Sequence, residues 1–139
     1  MNKVVFLLFC SLIFTTACNS GNDAKNTGRI LGFKLPADIH KIEWNRTSNY
    51  NPTGDGTLLV EYAFNNSDTA NLINECMQNG FLKLPVDEST LTDGAIFQYI
   101  DRDDSLGYYK LNKDKDGMSY SIGVIDLSKN KIYVYEALY

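Results

Sequence analysis

The sequence predicts an α+β domain: an antiparallel sheet of four to six strands, ending in a C-terminal meander, with one helix packed on one face. Three observations predict it. The C-terminal third carries four runs rich in Ile, Val and Tyr, joined by polar links of three to five residues. Parallel strands need crossovers of about a dozen residues or more, so these runs pair as antiparallel neighbours. One amphipathic stretch, Thr69 to Asn79, stands among the strand-like runs. Finally, 139 residues at 44% hydrophobic and 22% charged hold a single core, too short for two and too apolar for a disordered chain.

In chain order, Ile39 to Trp44 is a short strand. Thr57 to Phe64 is a better one, bounded by Gly54-Asp55-Gly56 and Asn65-Asn66. The helix follows. Ser67 and Asp68 are suitable N-caps. Leu72, Ile73, Cys76 and Met77 make its apolar face. Gly80 falls where a left-handed C′ residue ends many helices, which puts Phe81 at C″, folding back toward Cys76. Residues 82–93, with Pro85 and few periodic apolar positions, read as a connecting loop. The meander then runs through Ala95 to Asp101, Gly107 to Asn112, Met118 to Leu127 and Lys131 to Ala137. A helix over one face of this sheet is an α+β sandwich.

The first residues read as an address. Lys3 supplies a positive start, and Val4 to Phe14 is an apolar run broken only by Ser11. That run is well short of the roughly 20 residues a spanning helix needs, and it fits a cleaved secretion signal over residues 1–17. Thr15-Thr16-Ala17-Cys18 then resembles the lipobox of bacterial lipoproteins, with Thr15 in place of the usual aliphatic residue. The resemblance covers residues 1–18 alone and implies no activity. It implies that Cys18 becomes the first mature residue and carries lipid, holding the protein to a membrane of the cell envelope. Ordinary signal cleavage after Ala17 is the competing reading, since Thr-x-Ala is also a small-x-small site. Residues 18–28 have Ala24 as their one apolar residue besides the cysteine. They read as the lipidated Cys and a flexible tether, leaving residues 29–139 as the globular domain.

Chemical motifs are sparse. Of the three cysteines, Cys10 falls in the signal and Cys18 is taken by lipid, so Cys76 remains as a single thiol on an apolar helix face. Asn112-x-Asp114-x-Asp116-Gly117 is spaced like the start of a calcium loop, but Gly123 stands where a bidentate Glu is required, and the flanks are strands. It reads as a hairpin turn. Asp101, Asp103 and Asp104 form a second acidic turn, with Arg102 and Lys110 near enough in sequence to neutralise it. His40 is the single histidine and sits between residues typical of an exposed strand end. No nucleophile elbow, phosphate loop or zinc-protease helix is present. No enzymatic activity, cofactor or metal site is expected. A formal charge of −4 argues against a nucleic-acid partner.

Tyrosine is the unusual feature: seven of nine lie from Tyr99 onward. Alternation along Lys131 to Ala137 places Ile132 and Val134 on one face, with Tyr133 and Tyr135 on the other. Tyr99 opposes Ile96 and Ile100 in the same way. A single helix covers one sheet face only, so Tyr133, Tyr135 and Tyr99 are expected to form an exposed binding face. The expected function is a non-catalytic envelope lipoprotein binding an envelope protein or a glycan. The alternative is an inhibitor or immunity protein against an envelope-damaging enzyme, an acidic surface steering it toward a basic target.

Overall fold

The computed structural model describes residues 20–46, 56–91 and 93–139. The expectations for the signal segment and Cys18 lie outside these residues. Six strands form one antiparallel sheet: β1 (His40–Arg46), β2 (Gly56–Ala63), β3 (Leu82–Lys83), β4 (Gly107–Lys113), β5 (Tyr120–Asp126) and β6 (Lys131–Leu138). Their spatial order is β1-β2-β6-β5-β4-β3. The expected α+β architecture is therefore present, and β4, β5 and β6 form the C-terminal meander. The last strand inserts beside β2, with Val60 opposite Val134 and Tyr62 opposite Ile132.

Alternation sorts the core. Leu58, Val60, Tyr62, Ile125, Ile132 and Val134 face one layer, where the helix α2 (Thr69–Gln78) delivers Leu72 and Cys76. The chain enters α2 through a 3₁₀ turn, Asn66–Asp68, and the Asp68 carboxylate accepts from Asn65 N–H at 2.9 Å. The C-terminus closes as expected. Gly80 takes φ +74° and Phe81 N–H donates to Cys76 C=O at 3.1 Å, the six-to-one bond of a Schellman ending. Met77 departs from the expected apolar face and is 72% exposed. Leu72 and Cys76 fill the single i, i+4 stripe that a ten-residue helix can press on the sheet.

The tether reading is corrected. Ser20–Leu31 forms a helix, α1, that shares this layer with α2. Thr27, Ile30 and Leu31 make its buried stripe. Polar contacts fix it to the sheet. Thr27 Oγ1 and Tyr62 OH hydrogen-bond at 2.7 Å, Asn26 Nδ2 donates to Glu136 Oε2 at 3.0 Å, and Arg29 pairs with Glu136. Two carbonyls left unpaired at the helix end are met from β4, by Asn112 Nδ2 on Ile30 at 3.1 Å and Lys110 Nζ on Leu31 at 3.4 Å. Gly123 of β5 lets the helix come this close, because a Cβ there would overlap Leu31 Cδ2.

Two further expectations fail on the opposite face. Residues 82–93 are not a plain loop, since Leu82–Lys83 pairs with β4. Ala95–Gln98 is a 3₁₀ turn, not a strand. Ile96 and Ile100 are four apart, a spacing that suits a helical turn as well as a strand. Phe97 N–H donates to Gly94 C=O, and Tyr99 N–H to Ile96 C=O. Residues 84–91 and 93–100 then cover the sheet, setting Leu84, Val86, Ile96 and Ile100 against Tyr109, Ile122, Val124, Tyr133 and Tyr135. The sheet is thus covered on both faces.

Candidate functional site

This second cover overturns the expected tyrosine surface. Tyr133 and Tyr135 are 3% and 4% exposed, and Tyr109 and Tyr120 are equally buried. They are core, because aperiodic apolar residues between 84 and 100 supply the layer that no second helix does. One end of the face stays open. Tyr99, Tyr135 and Tyr139 line a cleft of about 450 Å³ with Thr57, Leu59, Asp93, Ala95 and Gln98. Tyr99 and Tyr135 therefore do meet at a concave surface, while Tyr133 does not line it.

Asp93 is the polar centre of this cleft. Its Oδ1 accepts from Ala95 N–H at 2.9 Å and from Tyr120 OH at 2.7 Å. Its Oδ2 accepts from Tyr139 OH at 2.6 Å. The last two strands position the phenols: Tyr120 opens β5 opposite Ala137, Tyr135 of β6 packs on Tyr120 at 5.8 Å between centroids, and Tyr139 follows the end of β6. Tyr139 is fixed in turn by Ser119, whose Oγ accepts from its N–H at 3.0 Å and donates to its C=O at 3.2 Å.

The protonation states follow from this geometry. Burial pushes the Asp93 carboxyl up, but hydrogen bonds from Tyr139, Tyr120 and the Ala95 amide outweigh it and hold the group below the usual carboxylate range. Burial, then the bond to Asp93, raises Tyr120. The bond to Asp93, then burial, pushes Tyr139 up to about 12. Around neutral pH the carboxylate is a fixed acceptor and both phenols are fixed donors. None of these three groups is poised near neutral pH, as proton transfer would require.

The other residues singled out in the sequence take structural places. Asp114 and Asp116 accept from Gly117 and Met118 N–H groups, closing the β4–β5 hairpin turn. Asp101 pairs with Lys129 at 3.0 Å, and Asp104 accepts from Ser128 Oγ at 2.8 Å. Arg102 instead pairs with Glu88 and stacks over Phe97 at 4.4 Å. His40 is exposed on β1. Burial, then the neighbouring Glu75 charge, pushes the Cys76 thiol up to about 12, an unreactive setting.

Sequence reasoning missed Asp93, Tyr120 and Tyr139 as a group. Part of the signal was legible: alternation continued past Tyr135 carries Tyr139 to the same face. The partner was not, because Asp93 is 46 residues from Tyr139. Compared with protein-family models, curated proteins and solved structures, the chain matches none of them.

Proposed function

We propose that the protein is a cell-envelope lipoprotein, anchored by lipid on Cys18, whose domain is a non-catalytic binding module with the Asp93 cleft as its ligand site. The anchor rests on the apolar run from Val4 to Phe14 followed by Ala17-Cys18. Among the described residues no helix is long and apolar enough to cross a membrane. In this reading α1 starts two residues after the lipidated cysteine. A helix docked on the sheet then replaces a tether and holds the domain close to the bilayer.

The observation that carries the binding reading is the cleft itself. It joins a carboxylate and phenols, each with one protonation state near neutrality, to aromatic walls. Concave sites with a few convergent polar groups are the usual places for small ligands or single side groups of larger ones. The cleft takes a single side group, carried by an envelope component such as a protein, a glycan or a lipid.

Two measurements test the two halves. Metabolic labelling with a fatty acid should mark the wild type and leave Cys18→Ala unlabelled and outside the membrane fraction; unchanged labelling overturns the anchor. Titration with soluble envelope glycan fragments and envelope-protein peptides, read by amide NMR shifts, should perturb Asp93, Tyr99 and Tyr139. Shifts confined to other regions overturn the cleft as the site.

A further inference from the structure

We propose that the Asp93 cleft recognises a quaternary ammonium group, an inference that rests on the cleft being the ligand site. The juxtaposition behind it is one carboxylate and three tyrosines with no cation among the described residues of the lining. Asp93 is held by neutral donors alone: Ala95 N–H, Tyr120 OH and Tyr139 OH. Among the described residues it has no Lys, Arg or His within ion-pair distance. The rest of the lining, Thr57, Leu59, Ala95 and Gln98, is uncharged beside the tyrosines. The cleft therefore carries a negative charge that no described cation pairs with, and a cation complements it.

The lone pairs decide which cation. A carboxylate offers about four acceptor sites. Tyr120, Tyr139 and the Ala95 amide occupy three of them. A primary ammonium brings three N–H donors, of which Asp93 can take one; the others must turn to neutral oxygens such as that of Gln98 or to water, so the carboxylate favours it by a single charge-assisted bond. A divalent metal needs several oxygen ligands, and among the described residues Asp93 is the one carboxylate side chain in the lining. A quaternary ammonium donates no hydrogen bond. It requires a negative field and aromatic side chains whose quadrupoles attract cations, and Tyr99, Tyr135 and Tyr139 are all in the lining. A cleft of about 450 Å³ leaves room for the group that bears it.

The experiment uses the full-length protein in a nonionic detergent, titrated with choline, with its neutral isostere 3,3-dimethylbutan-1-ol, and with ethanolamine. Choline should shift the amides of Asp93, Ala95, Tyr99 and Tyr139, and should bind about tenfold or more tightly than either comparator. Asp93→Asn should lose about tenfold in choline affinity. If that variant does not fold, Tyr99→Leu in the cleft lining carries the test and should weaken choline several-fold; an unchanged affinity overturns the aromatic part of the assignment. Sedimentation with phosphatidylcholine vesicles against phosphatidylglycerol vesicles, using Cys18→Ser, distinguishes a lipid headgroup from a free solute as the source. Equal binding of the neutral alcohol keeps the cleft as a site but overturns the ammonium assignment, as does silence toward choline while a glycan still shifts the cleft residues. Choline shifts that map away from the cleft overturn both this assignment and the site.

Discussion

Gly123→Ala tests the docking of α1, the element the sequence pattern concealed. Gly123 faces the helix from the middle of β5, and an added Cβ overlaps Leu31 Cδ2, with Ile30 Cγ2 also in contact range. The clashing atom is the terminal methyl of Leu31, but Leu31 and Ile30 are fully buried in the same core layer, so it can turn away only by disturbing its packed neighbours. Inserting a methyl into a packed core costs about 1–3 kcal/mol. Replacing Gly with Ala recovers about 0.4–1 kcal/mol through the unfolded chain where the backbone is compatible. A net loss of about 1–2 kcal/mol is expected, read as a lower urea midpoint at unchanged m. Leu31→Ala alone should cost about 2–5 kcal/mol by opening a cavity. The double variant should cost clearly less than the sum, since the new methyl occupies part of that cavity. Strict additivity, or a Gly123→Ala variant as stable as wild type, would show that the helix does not sit there and would refute the reasoning.

Four further outcomes are expected. Asp126 is fully buried and its Oδ1 accepts from Ser128 N–H and Oγ and from Lys129 N–H, so Asp126→Ala should cost about 2–4 kcal/mol in thermal unfolding by leaving the β5–β6 turn unpaired. The double variant Tyr133→Ser/Tyr135→Ser should lose cooperative unfolding and its near-ultraviolet dichroism, since removing one large buried aromatic typically costs about 3–5 kcal/mol. Cys76 should resist a thiol reagent in the native protein and react only at the rate of unfolding, because its thiol is buried and raised to about 12. The Asp93 network has two pH edges. The folded carboxyl lies below its unfolded value, so its contribution is present above the ordinary carboxylate range and lost as pH falls through the lowered value. The Tyr139 phenol lies above its unfolded value, so its contribution is present below about 10 and lost as pH rises through about 12. Ultraviolet titration of wild type against Tyr139→Phe should remove a phenol that ionises near pH 12.

Elements whose determinants are neighbours in sequence were legible. Three strands of the meander fall within two residues of their expected ends. The α2 ending is written in Gly80 and Phe81, which make the expected turn bond to Cys76. The division of β6 into an Ile132/Val134 face and a Tyr133/Tyr135 face holds in full. The failures share a cause. Thr27, Ile30 and Leu31 form too short a stripe to declare a helix, and its support comes from Tyr62, Asn112 and Glu136. The 3₁₀ turn at Ala95–Gln98 and the expected strand agree equally well with Ile96 and Ile100.

The sequence by itself determined which residues alternate, where turns fall, and that an antiparallel meander would pack against a helix, because a strand's period and a helix's cap are set by residues a few positions apart. Only the tertiary structure decided what covers each face. A sheet face exposes the same side chains whether water, a helix or an irregular segment lies over it. The choice depends on contacts spanning most of the chain, as between Asn26 and Glu136 or Asp93 and Tyr139. That choice turned Tyr133 and Tyr135 from an exposed surface into core. It also left one open end where a carboxylate that accepts from an amide and two phenols faces a tyrosine-lined cleft.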